Sequence, residues 1–357
     1  MRLIFFPISR LYAAIMSLRN LLFDWQIFRS WRAPLPVLAV GNISAGGTGK
    51  TPFVDWIVKF YHGMGIRVAI VSRGYKRKSK GTLIVSEGAG KPCVSSAEAG
   101  DEPFMLAMKN PFAMVVVSEK RKDGIEKLLA LPKNLQPQLI ILDDAFQHRQ
   151  VHRDLNFLVI HAAKSPFKDA VLPLGRLRES VSGICRADMI LISKIQSKKN
   201  VDTLEKDLFL YEKPILKSRI KVCGLRHFFS EKMISLEEFS SNLPAFFAFS
   251  GIGDAENFIQ TLQKSGLSVQ GERHFPDHYD FQHEDITNLF SEAAKNKIDW
   301  FVSTEKDFYR LKSDDALFQL FQNKACYYLE IEFEIDEGRL VLEKSLKALT
   351  LPRHAQP

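Results

Sequence analysis

The chain has only four cysteines in 357 residues, Cys93, Cys185, Cys223 and Cys326, and no two of them form a CxxC pair. That excludes a zinc ribbon and a dense disulfide framework, and it suits a reducing compartment. Long apolar runs are lacking too. Within the apolar first thirty residues the longest uncharged stretches are 3–9 and 11–18, well short of the roughly 20 apolar residues that cross a bilayer. Arginines interrupt this segment and no small-x-small cleavage site follows it, so a cleaved signal peptide fits poorly. There is no internal repeat and no low-complexity tract. At 46% hydrophobic and 25% charged the composition is that of a globular protein and excludes a disordered or fibrous chain. The length gives room for two domains, each with its own core.

Acid is the other scarce element, in two places. Residues 1–32 hold Arg2, Arg10, Arg19, Arg29 and Arg32 against Asp24 alone, and residues 56–86 hold Lys59, Arg67, Arg73, Lys76, Arg77, Lys78 and Lys80 with no acid. The whole chain carries a net charge of +8. Such local excess suits an anionic partner or a solvated face. Leu11, Ile15, Leu18, Leu22 and Trp25 recur at helical spacing in the first segment, with Arg10 and Arg19 placed to snorkel. An amphipathic helix lying in a membrane interface has this pattern; so does a helix packed on the protein's own core.

Downstream, short apolar runs at 37–40, 68–71, 113–117, 139–142, 157–160 and 189–192 alternate with helical patterns at 52–61, 98–109 and 119–131. This alternation predicts an α/β fold, a P-loop-type parallel sheet covered by helices. The pattern loosens around 208–226 and restarts with a strand at 246–249, a helix at 255–264 and a strand at 300–303, which reads as a second, smaller α/β domain. The expected layout is an amphipathic membrane-associating segment 1–32, a P-loop domain 33–215 and a smaller domain 216–350.

The strongest motif lies between the run 37–40 and the helix that opens at Pro52. Gly46-Gly47-Thr48-Gly49-Lys50-Thr51 lets backbone N–H groups converge on phosphate oxygens at a helix N-terminus. Lys50 then reaches the β- and γ-phosphates and the Thr51 hydroxyl ligates Mg²⁺. Ser44 stands where the strict pattern has its first glycine. A neighbouring strand ends in Asp143 and Asp144, one carboxylate for the Mg²⁺ shell and the next facing the reaction centre. Gln147, His148 and Arg149 follow directly. Asp101 and Glu102 precede a helix near Pro103, where acids serve as caps or as the base that takes a proton from an attacking hydroxyl. Asp277 and His278 lie in the later half, with His274 and His283 at spacings that fit no helical metal site.

The ordered set VGNISAGGTGKTP, SRGY, AGDEP, SEKR, DDAFQHR, LPLGRLRE, FSGIGD, FPDHY and TEKD, running from Val40 to Asp307, closely resembles the tetraacyldisaccharide 4'-kinase (lipid A 4'-kinase) family. The resemblance implies a lipid kinase at the cytoplasmic face of the bacterial inner membrane, peripheral or monotopic. It would use ATP and Mg²⁺ to phosphorylate the 4'-hydroxyl of a tetraacyldisaccharide 1-phosphate and give lipid IVA. It further implies Asp101 as the base, with His278 working in tandem. Lys50 and Asp144 stand beside them in the chemistry, and Gly46 to Thr51, Arg121, Gln147 and His148 bind the nucleotide. Thr51, Asp143, Glu102 and Glu179 are then the metal-side residues, and Lys306 of TEKD is a further match. Two departures stand out. Ala145 replaces the more usual glycine of DDGFQH. Ser193-Lys194 lacks the following Asp of a guanine-reading NKxD run, so nothing argues for GTP. The later domain carries His278, so catalysis is expected to need closure of one domain on the other. The rival expectations are a P-loop ATPase or GTPase switch, a metal-insertion chaperone, or a membrane-associated binding module. A nucleic-acid binder is disfavoured because the basic clusters lack interleaved stacking aromatics.

Overall fold

The computed structural model describes residues 2–230, 232–239 and 244–351. Its strands in chain order are β1 (Val37–Gly41), β2 (Val68–Ser72), β3 (Leu83–Glu87), β4 (Met114–Val117), β5 (Leu139–Asp143), β6 (Leu155–His161), β7 (Met189–Ser193), β8 (Ile215–His227), β9 (Met233–Ser235), β10 (Phe246–Ser250), β11 (Val269–His274), β12 (Trp300–Thr304) and β13 (Ala325–Glu337). They form one mixed, parallel-rich sheet in the order β11-β10-β12-β13-β8-β7-β6-β1-β5-β2-β4-β3, with β9 paired to β8. From β4 across to β8 every pairing is parallel; β3 is an antiparallel edge.

β1, β2, β5, β6 and β7 are buried along their whole length. Helices cover both faces of these strands, which is why they read as unbroken apolar runs rather than alternating ones. On one face Phe53, Val54, Ile57, Val58 and Tyr61 of the helix Lys50–Gly63 pack with Leu342 and Leu346 of the helix Arg339–Leu349. On the other, Ile125 and Leu128 cover Ala39, Ile140 and Leu142.

The stretch where the sequence pattern loosens is in fact a long strand. β8 pairs antiparallel with β13 over most of both strands, and cross-strand charges hold them: Arg219 to Glu334 at 2.9 Å, Arg226 to Glu330 and Lys217 to Glu337. Beyond β13 the sheet continues parallel through β12, β10 and β11 around an aromatic core that includes Phe228, Phe247, Phe249, Phe301 and Phe321.

The first residues form a 23-residue helix, Arg2–Asp24. Three of its polar side chains point inward. Ser9 donates to the Val171 carbonyl at 2.6 Å, Arg19 to the Gln147 carbonyl at 2.9 Å and Asn20 to Glu179 at 2.8 Å. Phe23 is buried, while Phe5, Ile8, Leu11, Ile15 and Leu18 are exposed along the opposite side. Arg19 is therefore turned into the protein and does not snorkel, because a backbone carbonyl and the Phe23 ring take its guanidinium. Among the described residues, no helix is long and apolar enough to cross a membrane.

Candidate active site

β1 runs into the glycine-rich loop and the helix Lys50–Gly63 follows at once. Gly49 makes the junction with a left-handed φ of 83°, a conformation glycine adopts without penalty. Ser44 is tolerated in place of the first glycine because the chain there is extended. Ser44 bridges Leu177 antiparallel, Ala45 N–H donates to the Arg176 carbonyl and Arg178 N–H to the Ile43 carbonyl. Among the described residues no intramolecular acceptor meets the N–H groups of Gly46, Gly47 or Gly49, and Gly46 and Gly47 are exposed. Buried Thr48 instead accepts a hydrogen bond from Asn42 at 2.9 Å. Free amides at a helix N-terminus form an anion cradle.

The parallel register sets Asp143 opposite Val40, at the carboxyl end of the P-loop strand. Asp143 is buried; its Oδ2 accepts from Ser72 at 3.1 Å and its Oδ1 is buried without a partner among the described residues. Burial first, then the carboxylates of Asp144 and Glu102, push its pKa up to about 6. Asp144 turns the chain with φ 46°. Burial would raise its pKa as well, but Lys50 at 3.3 Å and Arg178 at 3.0 Å outweigh burial and hold it low. Ala145, the departure from the DDGFQH pattern, is fully buried in the adjacent core. The left-handed turn falls on Asp144, so residue 145 needs no glycine. Arg121 is buried beneath the turn and donates to the carbonyls of Ser118 and Asp143 at 2.9 and 3.0 Å. Burial draws its pKa down to about 10.

Asp101 opens the helix Asp101–Lys109. Gly100 precedes it with φ 87°, and a β-carbon there would lie 3.1 Å from the Tyr75 carbonyl, so only glycine brings the loops 72–75 and 99–103 this close. Among the described residues, the later half of the chain supplies the partners of the Asp101 carboxylate. His278, itself left-handed at φ 63°, places Nδ1 2.7 Å from Oδ2. Arg310 donates to the same oxygen and Lys306 lies 3.9 Å away. Burial acts to raise the Asp101 pKa, but His278, Arg310 and Lys306 overcome it and hold the carboxyl well below the usual carboxylate range. Arg310 is fixed in turn by Asp307 at 2.7 Å, and Asp307 takes the Thr304 hydroxyl and the Gly251 N–H. Lys306 also meets Asp277 at 3.5 Å and His278 at 3.4 Å, so this lysine lines the site rather than a free surface.

The remaining candidates form a layer behind these groups. Gln147 donates to the Asn42 carbonyl and to Glu179, both at 2.8 Å. Glu179 is buried and accepts from Gln147, Asn20 and Arg186. Its oxygens are thus engaged by N–H donors, and it ties the N-terminal helix to the P-loop strand. His148 is neutral at pH 7, since burial and then Arg121, Arg73 and Arg19 take its pKa down to about 4. The structure thus gathers Lys50, Asp143, Asp144 and Arg121 about the P-loop mouth, with Glu102 within charge range, and joins Asp101 to His278. Gln147 and Glu179 belong to the supporting network. Arg178 and Arg310 escape the sequence patterns, although each had a signal: Arg178 precedes Glu179 in LPLGRLRE, and Arg310 lies one helical turn from Asp307. Among the described residues no group of three or more His, Cys, Asp or Glu side chains is arranged as a metal cage. That is the ordinary situation for Mg²⁺, which takes one or two protein carboxylates plus phosphate oxygens.

The sequence pattern of one protein family, tetraacyldisaccharide-1-P 4'-kinase, matches residues 1–349. Among similar proteins, the tetraacyldisaccharide 4'-kinase of Chlorobium phaeovibrioides is 42% identical over 347 residues, covering 96% of each chain. That of Pelodictyon phaeoclathratiforme is 39% identical over 343 residues, again 96% of each. Among solved structures, LpxK from Aquifex aeolicus in complex with ATP superposes with a TM-score of 0.78 at 35% identity, covering 98% of this chain and 99% of that one.

Proposed function

The chain belongs to the tetraacyldisaccharide-1-P 4'-kinase family, and from that premise we propose that it transfers the γ-phosphoryl group of ATP to the 4'-hydroxyl of tetraacyldisaccharide 1-phosphate, forming lipid IVA in lipid A biosynthesis. The observation that carries this reading is the junction of two sites. A P-loop with an acid pair meets a hydroxyl-activating Asp101–His278 pair, the two being linked by the adjacent residue Glu102, whose charge reaches Asp143.

The loop amides and Lys50 bind the phosphates and neutralise their charge. Arg178 and Lys50 keep Asp144 ionised at the mouth. The donor set fits a hard cation: Asp143 has a buried oxygen with no partner among the described residues and stands amid other carboxylates. Asp143 and Thr51 would hold Mg²⁺, with Glu102 adding to the field, and Mg²⁺ bound there screens the phosphate charge. Asp101 takes the hydroxyl proton. Its Oδ2 is occupied by His278 and Arg310, which leaves Oδ1 for the acceptor. A carboxylate held this low accepts a proton only as the oxygen–phosphorus bond forms, so proton transfer is late.

The outward apolar side of the helix Arg2–Asp24 supports a peripheral seat on the cytoplasmic face of the inner membrane, since an exposed apolar stripe of this length marks an interaction surface. A substrate with four acyl chains stays in the bilayer, at about 0.8 kcal/mol per buried CH₂, and the enzyme goes to it. Residues 33–215, together with the helix Arg339–Leu349 that packs in their core, and the rest of the later half act as lobes that close around the acceptor. The test is transfer of labelled γ-phosphate from ATP to tetraacyldisaccharide 1-phosphate in detergent micelles, with Lys50→Ala as control. Label in a bis-phosphorylated lipid only with the intact protein is expected. Phosphate released to water with the lipid unlabelled would overturn the reading in favour of an ATPase switch.

A further inference from the structure

Hydrogen bonds run without a break from the helix Arg2–Asp24 to the middle of the phosphate loop. Asn20 Nδ2 donates to Glu179 Oε2 at 2.8 Å. Glu179 Oε1 accepts from Gln147 Nε2 at 2.8 Å, and the same amide donates its second hydrogen to the Asn42 carbonyl, also at 2.8 Å. Asn42, the residue after β1, donates its own side-chain amide to the Thr48 hydroxyl at 2.9 Å. Glu179, Asn42 and Thr48 are buried, so bulk water does not replace a lost member. The helix also holds Gln147 a second way. Arg19, the neighbour of Asn20, donates to the Gln147 carbonyl at 2.9 Å, and Arg149 donates back to the Asn20 carbonyl at 2.9 Å and to Asp24 at 2.6 Å.

A membrane seat would need only the outward apolar side of this helix, and these inward contacts serve something else. What they reach is the loop. Gly46 and Gly47 are exposed, and a β-carbon on Gly46 would meet nothing within 4 Å, so the outer side of the loop is not packed. Thr48 is held from beneath, its hydroxyl by Asn42 and its carbonyl by Ser193 at 2.6 Å. That carbonyl shares a peptide plane with the Gly49 N–H, and the residue as a whole sets the direction of the amides on either side. A cradle whose amides already converge loses less freedom when a phosphate arrives. Both amide hydrogens of Gln147 are spent on Asn42 and Glu179, so this residue serves the nucleotide through the loop.

We infer that Asn20 is a positioning residue for phosphate binding: through Glu179, Gln147 and Asn42 the docked helix Arg2–Asp24 holds the P-loop in its phosphate-accepting shape. The inference rests on the kinase reading for a nucleotide at the P-loop, and not on the identity of the acceptor lipid. Coupling of this kind acts equally in both directions, so bound nucleotide also holds the helix in place. The test uses the full chain in detergent micelles without acceptor lipid. Equilibrium binding of Mg-ATP is compared for wild type, Asn20→Leu, which keeps the volume and removes the amide, Gln147→Leu, and the two together. Asn20→Leu should weaken ATP about fivefold, and the pair should bind no more weakly than Gln147→Leu alone. Hydrogen exchange of residues 15–24 is then read with and without Mg-ATP, a readout that a merely structural role for Asn20 would not move. ATP should slow that exchange about fivefold in wild type and leave it unchanged in Asn20→Leu. If Asn20→Leu does not fold, the wild-type exchange alone decides. ATP affinity unchanged in Asn20→Leu, strictly additive losses in the pair, or wild-type exchange indifferent to ATP overturns the inference. The expected pattern in a protein that leaves tetraacyldisaccharide 1-phosphate unlabelled supports the inference and overturns only the kinase reading.

Discussion

Replacing Asp143 with Asn should stabilise the nucleotide-free protein while abolishing phosphoryl transfer. The carboxyl is buried beside Asp144 and Glu102, and its pKa rises from 3.8 to about 6. A raised carboxyl pKa means that the native state binds the proton more tightly than the unfolded chain does. The stability gained this way is complete below about pH 4 and is lost as pH climbs through about 6. At pH 7.5 keeping the carboxylate ionised in place therefore costs about 3 kcal/mol, two pKa units at roughly 1.4 kcal/mol each. Asn keeps the Ser72 contact through its carbonyl oxygen. It also puts an unpaired N–H where Oδ1 lies, at a cost of roughly 1 kcal/mol. The net gain is about 2 kcal/mol, or about 3 °C in Tm for a chain of this size. Thermal unfolding followed by circular dichroism, without nucleotide or Mg²⁺, measures it at pH 7.5 and pH 5. The gain should shrink to roughly a third at pH 5, where the native carboxyl is mostly protonated and about half of the cost has gone. A variant less stable than wild type at pH 7.5, or one with the same gain at both pH values, would refute the reasoning.

Asp101→Ala should lower kcat by two or more orders of magnitude while ATP affinity stays within about twofold, whereas Lys50→Ala should impair both; initial rates with lipid acceptor and nucleotide titrations check this, and a near-normal kcat for Asp101→Ala would remove Asp101 as the base. Arg310→Met leaves Asp101 and Asp307 without their shared cation and should cost about 3 kcal/mol in urea unfolding. Adding Asp307→Asn should recover part of that loss, and a strictly additive double variant would sink the claim that the two form one network. Leu11→Glu together with Ile15→Glu should reduce co-sedimentation with anionic vesicles about tenfold or more and leave ATP affinity unchanged; equal vesicle binding would remove the helix Arg2–Asp24 as the anchor.

The first half of the fold is legible because burial on both faces leaves little choice of residue: β1, β2, β5 and β7 are short, apolar up to their last residue and bounded by loops. β8 is not legible for the opposite reason. It alternates apolar residues with Lys217, Arg219, Lys221 and Arg226, which reads as a broken pattern until β13 brings Glu330, Glu334 and Glu337 across the sheet. A cross-strand partner about a hundred residues away leaves no local trace. The phosphate loop and the acid pair are legible because their chemistry depends on adjacent residues. Arg310 is hidden because its partner, Asp101, is 209 residues away. Arg19 is read wrongly since amphipathic spacing says which residues share a face but not which face meets the protein.

The helix Asp101–Lys109 explains how two halves of one sheet can share a reaction. At its start, Asp101 is held by His278, Lys306 and Arg310 of the later half. At its end, Lys109 lies between Asp55 of the P-loop helix at 3.8 Å and Glu305 at 2.8 Å. Asp55 is five residues beyond Lys50, and Glu305 precedes Lys306. The same short helix therefore meets the later half at both ends and the P-loop helix at its second end. The contacts of this helix and of the turn Ser96–Ala99 before it with the later half include three polar ones: the Lys109–Glu305 pair, the Asp101–Arg310 pair and the Ser96–Ser313 hydroxyls. Burying such groups brings little net stability, because desolvation offsets much of the Coulombic attraction. An interface of this kind is specific when closed and is readily rehydrated when parted. On the proposed reading Asp101 must meet a bulky lipid hydroxyl and then exclude water from the transfer, which needs both properties, and an apolar joint would supply only the first.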